Sequence, residues 1–139
     1  MVASVMVTDS LTPGMPLPVD GLATLTDGCQ VLVFADPRCG GCGRLAENLR
    51  AGGVTYSDTT GDPLWLLSGG EAAIGAFARR YGIPRHSVRR LRSPSGFPLR
   101  ELGISATPTL VGTRGPLVTG QLVANDIPLG ARLEHLCGP

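Results

Sequence analysis

A chain of 139 residues, with a formal charge of +1 and no lysine among its twelve basic residues, has room for one domain with one core, expected over 1–139. So small a charge steers the chain to neither nucleic acid nor an anionic membrane, and neither is expected as a partner. No apolar run approaches membrane-spanning length, and the start, MVASVMVTDS, lacks the basic region of a secretory leader, so the expected location is the cytoplasm.

In chain order, residues 1–20 carry three prolines in TPGMPLP and read as an extended lead-in, and 19–28 has room for one helical turn. CQVLVFAD, 29–36, is a continuous apolar run whose length and β-branched content suit a strand buried on both faces. GRLAENLRAGG, 43–53, puts Leu45 and Leu49 on one stripe of a short helix closed by glycines. PLWLLS, 63–68, predicts a second buried strand that holds Trp65 in the core. A helix follows over 69–84 with Ile74, Phe77, Ala78 and Tyr81 on one face, stopped by Gly82 and Pro84.

HSVRRLRS then reads as extended chain, and GFPLRELGI as a brief helix. TPTLVGT, 107–113, and GPLVTGQLV, 115–123, are apolar stretches split by a tight turn, the pattern of an antiparallel hairpin. NDIPLGARLEHL, 125–136, predicts a closing helix capped by Asn125 or Asp126. The sum is an α/β domain: a central mixed sheet, parallel in its first half through a right-handed crossover, with helices on both faces.

CGGC, 39–42, falls where the first buried strand gives way to a helix, the carboxyl end of the strand, where sites form in α/β sheets. C-x-x-C spacing puts both sulfurs on the first helical turn. Cys39 meets the unpaired N–H groups and the positive end of the helix dipole, both of which favour a thiolate. Arg38 before it is expected to act the same way. Cys42, deeper in the turn, is the expected resolving thiol. Asp36 before Pro37 reads first as a turn former and second as an aid to proton transfer. Gly40 and Gly41 make the turn soft and leave room for a partner backbone.

A buried strand into C-x-x-C into a helix, a further βα unit, then ATPT opening a hairpin resembles the thioredoxin-like superfamily. The length between CGGC and TPT, with YGIP and RELGISATPTLV, is similar to the TlpA-type thiol-disulfide oxidoreductases. The resemblance implies a thioredoxin-like fold and an enzyme that reduces or exchanges disulfides through Cys39 and Cys42 without a bound cofactor. It makes Pro108 the cis-proline and Thr107 the residue whose backbone binds the client. It also implies two partners, a disulfide-containing client and an upstream thiol reductant. The chain departs from thioredoxins in its Gly-Gly dipeptide, in Arg38 where tryptophan often stands, and in Val33 where they carry a buried acid. Peroxiredoxins share the fold, but Asp36 and Leu32 occupy the places of their Thr and Pro, which excludes that activity.

Competing readings remain at this level. A zinc knuckle would need His135 and Cys137 to complete four ligands, and a thioredoxin-fold binding module without catalysis would keep the shape alone. Cys29 and Cys137 read as two single thiols, with a pairing of the two as the alternative, since strand and last helix bring both toward the end remote from CGGC. The arginines at 79, 80, 85, 89, 90 and 92 lack interleaved aromatics and read as a solvated face rather than an RNA contact or docking patch, and His86 and His135 as surface residues.

Overall fold

The computed structural model describes residues 28–56, 62–92, 98–115, 117–123 and 130–137. The lead-in at 1–20, the helical turn at 19–28 except for its last residue, and the amino-terminal half of the helix expected at 125–136 lie outside the described residues. Five strands, β1 (Cys29–Ala35), β2 (Leu64–Leu67), β3 (Val88–Arg90), β4 (Thr109–Arg114) and β5 (Leu117–Val123), form one sheet in the order β3-β2-β1-β4-β5. β1, β2 and β3 run parallel; β4 runs antiparallel to β1 and β5 antiparallel to β4. The helices are α1 (Gly40–Ala51), α2 (Glu71–Tyr81) and the single turn α3 (Pro98–Glu101), with 3-10 turns at Arg85–Ser87 and Leu133–Cys137.

β1 is the middle strand, and its apolar run has no polar face because both faces are covered. Val31, Val33 and Ala35 point to one side, where Leu45 and Ala46 of α1, Ile74 and Phe77 of α2, and Leu133 and Leu136 close the core. Leu32 and Phe34 point to the other, against Leu66, Val111, Val118 and Ile104 with Leu99 of α3. Leu32, Val33 and Phe34 are fully buried, each stabilising the domain by about 2 kcal/mol. Trp65 lies in the core at a centroid distance of 5.7 Å from Phe77.

The mixed sheet with helices on both faces matches the sequence expectation, and three details correct it. The first helix starts at Gly40, inside CGGC, because Cys39 itself serves as its N-cap. The stretch read as extended chain splits into a 3-10 turn and a three-residue edge strand, β3. The last expected helix ends not in α-helix but in the 3-10 turn Leu133–Cys137.

That last difference has a physical cause. The backbone of Leu136 lies directly on the hairpin: a Cβ on Gly112 would collide with its carbonyl oxygen, and one on Gly120 would come within 2.8 Å of it. A full helix would stand further off. Thr119 Oγ1 donates to the Leu136 carbonyl at 2.7 Å, and Arg114 Nε to the Cys137 carbonyl at 3.1 Å, so the terminal carbonyls find partners on the sheet. Cys137 is joined to Cys29 by a disulfide with a Cα separation of 5.5 Å. The reading of these cysteines as two single thiols is therefore corrected: β1 begins where the chain's end returns, and a bridge closes across 108 residues of sequence. It also leaves Cys137 no thiolate for the zinc set, and among the described residues no His, Cys, Asp and Glu cluster could hold a metal.

Candidate active site

β1 ends at Ala35, and the chain turns at once. The Cys39 N–H donates to the Asp36 carbonyl at 2.9 Å across Pro37 and Arg38, closing a β-turn. The Asp36 carboxylate accepts the Arg38 N–H at 2.8 Å, an Asx turn inside it. Ser68 Oγ, at the end of β2, donates to the same carboxylate at 3.1 Å and fixes it to the neighbouring strand. Arg38 Nε and Nη2 donate to the carboxylate at 3.2 Å each. Its bonds thus run back to Asp36, and the guanidinium is 87% exposed. Burial opposes the Asp36 charge, but the bonds from Arg38 and Ser68 outweigh it and hold the carboxyl below its ordinary range. Asp36 is the turn former of the first reading.

Cys39 then caps α1. Its backbone is extended (φ −81°, ψ 119°), and its Sγ accepts the Cys42 N–H at 3.2 Å, the place an Asp or Ser oxygen usually fills. The Cys39 thiol in turn donates to the Thr107 carbonyl at 3.3 Å. Partial burial works against a thiolate here. Bonds from the Cys42 thiol, the Thr107 side-chain hydroxyl and the N–H groups of Cys42 and Gly41 overcome it, so the Cys39 pKa is lowered. Cys42 is fully buried. Burial first, and the neighbouring Cys39 second, push its thiol up to about 12.

The segment opposite comes from the far half of the chain. The Thr107–Pro108 peptide bond is cis. Thr109 Oγ1 donates to the Ala106 carbonyl at 2.7 Å, which holds the loop shut just before β4. A Cβ on Gly41 would stand 3.3 Å from Pro108 Cδ, so glycine at 41 lets the loop approach the cysteine turn. Cys39, Cys42, Gly40, Gly41, Thr107 and Pro108 thus come together. Asp36 lies one layer behind them, and Arg38 faces solvent.

Three participants were not legible in the sequence as site residues. Ser68 is one, seen only through the register of β2. Tyr81 is another: a Cβ on Gly43 would come within 3.0 Å of its ring Cζ, so the ring sits against the first turn of α1. Arg44 is the third, an exposed residue whose side chain lies along Gly40 and Gly41. Of the arginine-rich stretch, Arg90 and Arg92 reach Glu71 at 3.7 and 3.9 Å, Arg89 donates to the carbonyls of His86 and Val88, and Arg80 lies 5.5 Å over the Tyr81 ring. His86 and His135 are exposed.

The chain shares its fold with solved thiol-disulfide proteins. A secreted Mycobacterium tuberculosis disulfide oxidoreductase homologous to E. coli DsbE superposes with a TM-score of 0.54 at 19% identity, over 81% of this chain and 82% of that one. A Chlorobium tepidum protein assigned as the thiol:disulfide interchange protein DsbE gives 0.58 at 18%, over 82% and 86%. A Corynebacterium glutamicum thiol-disulfide isomerase gives 0.54 at 16%, over 82% and 83%. No protein-family model matches the chain, and no curated protein matches its sequence. The fold is thioredoxin-like.

Proposed function

We propose, with the thioredoxin-like fold as premise, that this single-domain chain is a thiol-disulfide oxidoreductase that reduces or exchanges disulfides through Cys39 and Cys42. One observation carries the reading: a half-exposed sulfur at a helix N-cap, bonded by the Cys42 N–H at 3.2 Å, with a second, fully buried thiol one turn behind it. A lowered pKa in front and a raised one behind divide the roles of attacking and resolving thiol.

The Cys39 thiolate attacks one sulfur of a client disulfide. The Cys39–client bond forms, the client's S–S bond breaks, and its other sulfur leaves as a thiolate that takes up a proton. The mixed disulfide removes the charge that helped hold the Cys42 proton, so Cys42 becomes easier to ionise. Cys42 then attacks Cys39 Sγ. The Cys39–Cys42 bond forms, the Cys39–client bond breaks, the second client sulfur leaves and takes up the proton that Cys42 gave up, and two electrons have passed to the client. An upstream dithiol reductant returns the pair to thiols. Thr107, whose carbonyl already faces Cys39 at 3.3 Å, is the backbone a client strand would meet, and Pro108 flanks that contact.

Among the described residues no helix is long and apolar enough to cross a membrane. The cytoplasmic expectation sits poorly with the Cys29–Cys137 bridge, since such bonds persist in oxidising compartments. That bridge supports a setting outside the reducing cytosol.

Reduction of insulin disulfides, followed by turbidity in the presence of dithiothreitol, tests the assignment. Wild type accelerates it and Cys39→Ser does not; equal rates for the two would reject the function.

A further inference from the structure

Arg44 is brought to a place that helix electrostatics disfavours. Helical side chains lean toward the N-terminus, and without a Cβ at 40 or 41 the guanidinium lies close on the first turn. Cβ atoms there would stand 3.6 Å from Nη1 and 3.5 Å from Nη2. That is the positive end of the dipole, where a cation without a counter-charge is unfavourable. Glu47, three residues on, forms no ion pair with it, and among the described residues Arg44 has no hydrogen-bond or ion-pair partner.

The position at Gly41 that stands 3.5 Å from Nη2 is also 3.9 Å from Cys39 Sγ and 3.3 Å from Pro108 Cδ, so cation, sulfur and cis-proline loop surround one point. Glu47 aside, two carboxylates at this end of the sheet are already matched. Asp36 is held by Arg38 at 3.2 Å, and Glu71, just past the carboxyl end of β2, by Arg90 and Arg92. Arg44 is the cation left over beside the attacking sulfur.

We infer that Arg44 is a specificity-determining residue and that the client is a polypeptide disulfide flanked by Asp or Glu, whose carboxylate meets the Arg44 guanidinium as the disulfide meets Cys39. The inference rests on the redox reading and deepens it. A cation here also favours the Cys39 thiolate, an effect common to every client, and Thr107 offers a backbone contact that a strand, not a small molecule, would use. A solvent-exposed pair of this kind is worth about 1 kcal/mol, roughly a fivefold rate preference, weakening with salt.

The test uses the full chain with Cys39 and Cys42 reduced and Cys29–Cys137 intact. Three peptide disulfides of one sequence, flanked by Asp, Asn or Lys, and glutathione disulfide are mixed with it in stopped flow, each rate normalised to that of a plain alkyl thiol. The Asp peptide is expected to outrun the Asn peptide by roughly fivefold at low salt and the Lys peptide by more. Arg44→Gln removes that preference, so that the Asp and Asn peptides react at equal rates with the variant, and Arg44→Lys retains most of it. A preference unchanged in Arg44→Gln, or glutathione disulfide outrunning the Asp peptide, overturns the inference and leaves the redox function standing. No reaction of the wild type with any disulfide overturns both.

Discussion

Two cysteine pairs sit at opposite ends of β1. Cys39 and Cys42 follow its carboxyl end, three residues apart, on a turn whose intervening residues are glycines; Cys29 begins it and is bridged to Cys137, 108 residues away. At the first end the hydrogen bonds aim at a sulfur: the Cys42 N–H and the Thr107 carbonyl both address Cys39. At the second they aim at backbone carbonyls, with Thr119 and Arg114 holding Leu136 and Cys137. On the proposed reading one end prepares a sulfur to react, while the other fastens the 3-10 turn Leu133–Cys137 to the sheet. The difference lies in what the neighbours do to the sulfur, because the residue type is the same.

The sharpest contrast to break is within the front pair. With Cys42 pushed up to about 12, its thiol stays protonated at pH 8, while the lowered pKa of Cys39 gives that sulfur the larger thiolate fraction. Iodoacetamide at pH 8 should label Cys39 alone, read by peptide mass; equal labelling of Cys42 in the folded protein would erase the division of roles. Stability of the reduced protein follows with opposite signs. The depressed Cys39 pKa contributes stability present above its unfolded value and lost as pH falls through the folded one. The raised Cys42 pKa contributes stability present below its unfolded value and lost as pH rises through about 12.

Next in size is the staple. Closing a loop of this length constrains the unfolded chain, and Cys137→Ser should cost about 2–5 kcal/mol, lowering Tm by roughly 10 °C. Its disulfide-exchange rate at 25 °C should stay within about twofold of wild type. Denaturant unfolding and the insulin assay read the two quantities separately. A folded Cys137→Ser protein as inactive as Cys39→Ser would show that the two ends are not independent.

Smaller again is Gly112→Ala. The added methyl meets the backbone carbonyl of Leu136, which cannot rotate away, so the terminal turn must shift off the sheet at about 1–3 kcal/mol. Protection of the Leu136 and Cys137 segment in hydrogen exchange should fall, while Cys39 keeps its alkylation rate.

The sequence discloses the front end far better than the back. Strand, C-x-x-C and helix are contiguous, so apolar run, turn chemistry and spacing place Cys39 and Cys42 without tertiary knowledge, while only the family resemblance carried by ATPT implies the loop that comes to face them. The back end depends on relations no local pattern carries. Cys29 and Cys137 meet only because β1 lies at the sheet centre and the chain end returns across β4 and β5. Leu133 and Leu136 have helical spacing, yet the glycines that admit the Leu136 backbone onto the sheet lie 16 and 24 residues earlier. β3 escaped notice because a three-residue edge strand with Arg89 and Arg90 exposed has neither length nor alternation to announce it. Arg44 was hidden differently. Its site follows from two neighbours lacking side chains, a signal visible only once the turn is folded.

The finest distinction between the ends is what an added methyl meets. At Gly43 it meets the ring and hydroxyl of Tyr81, part of a side chain that can swing, whereas at Gly112 it meets backbone. Gly43→Ala also gains about 1 kcal/mol of helix propensity, which offsets much of the cost of moving the ring. Its net effect should therefore stay under about 1 kcal/mol, well short of Gly112→Ala. Tyr81→Phe removes the nearest atom, so Gly43→Ala in that background should be the more stable by a few tenths of a kcal/mol, a coupling that a double-mutant cycle in urea resolves. A large loss at Gly43 with no relief from Tyr81→Phe would mean that the first turn of α1 is as rigid as the Leu136 clamp, and the contrast between a yielding cysteine turn and a fixed 3-10 turn would fail.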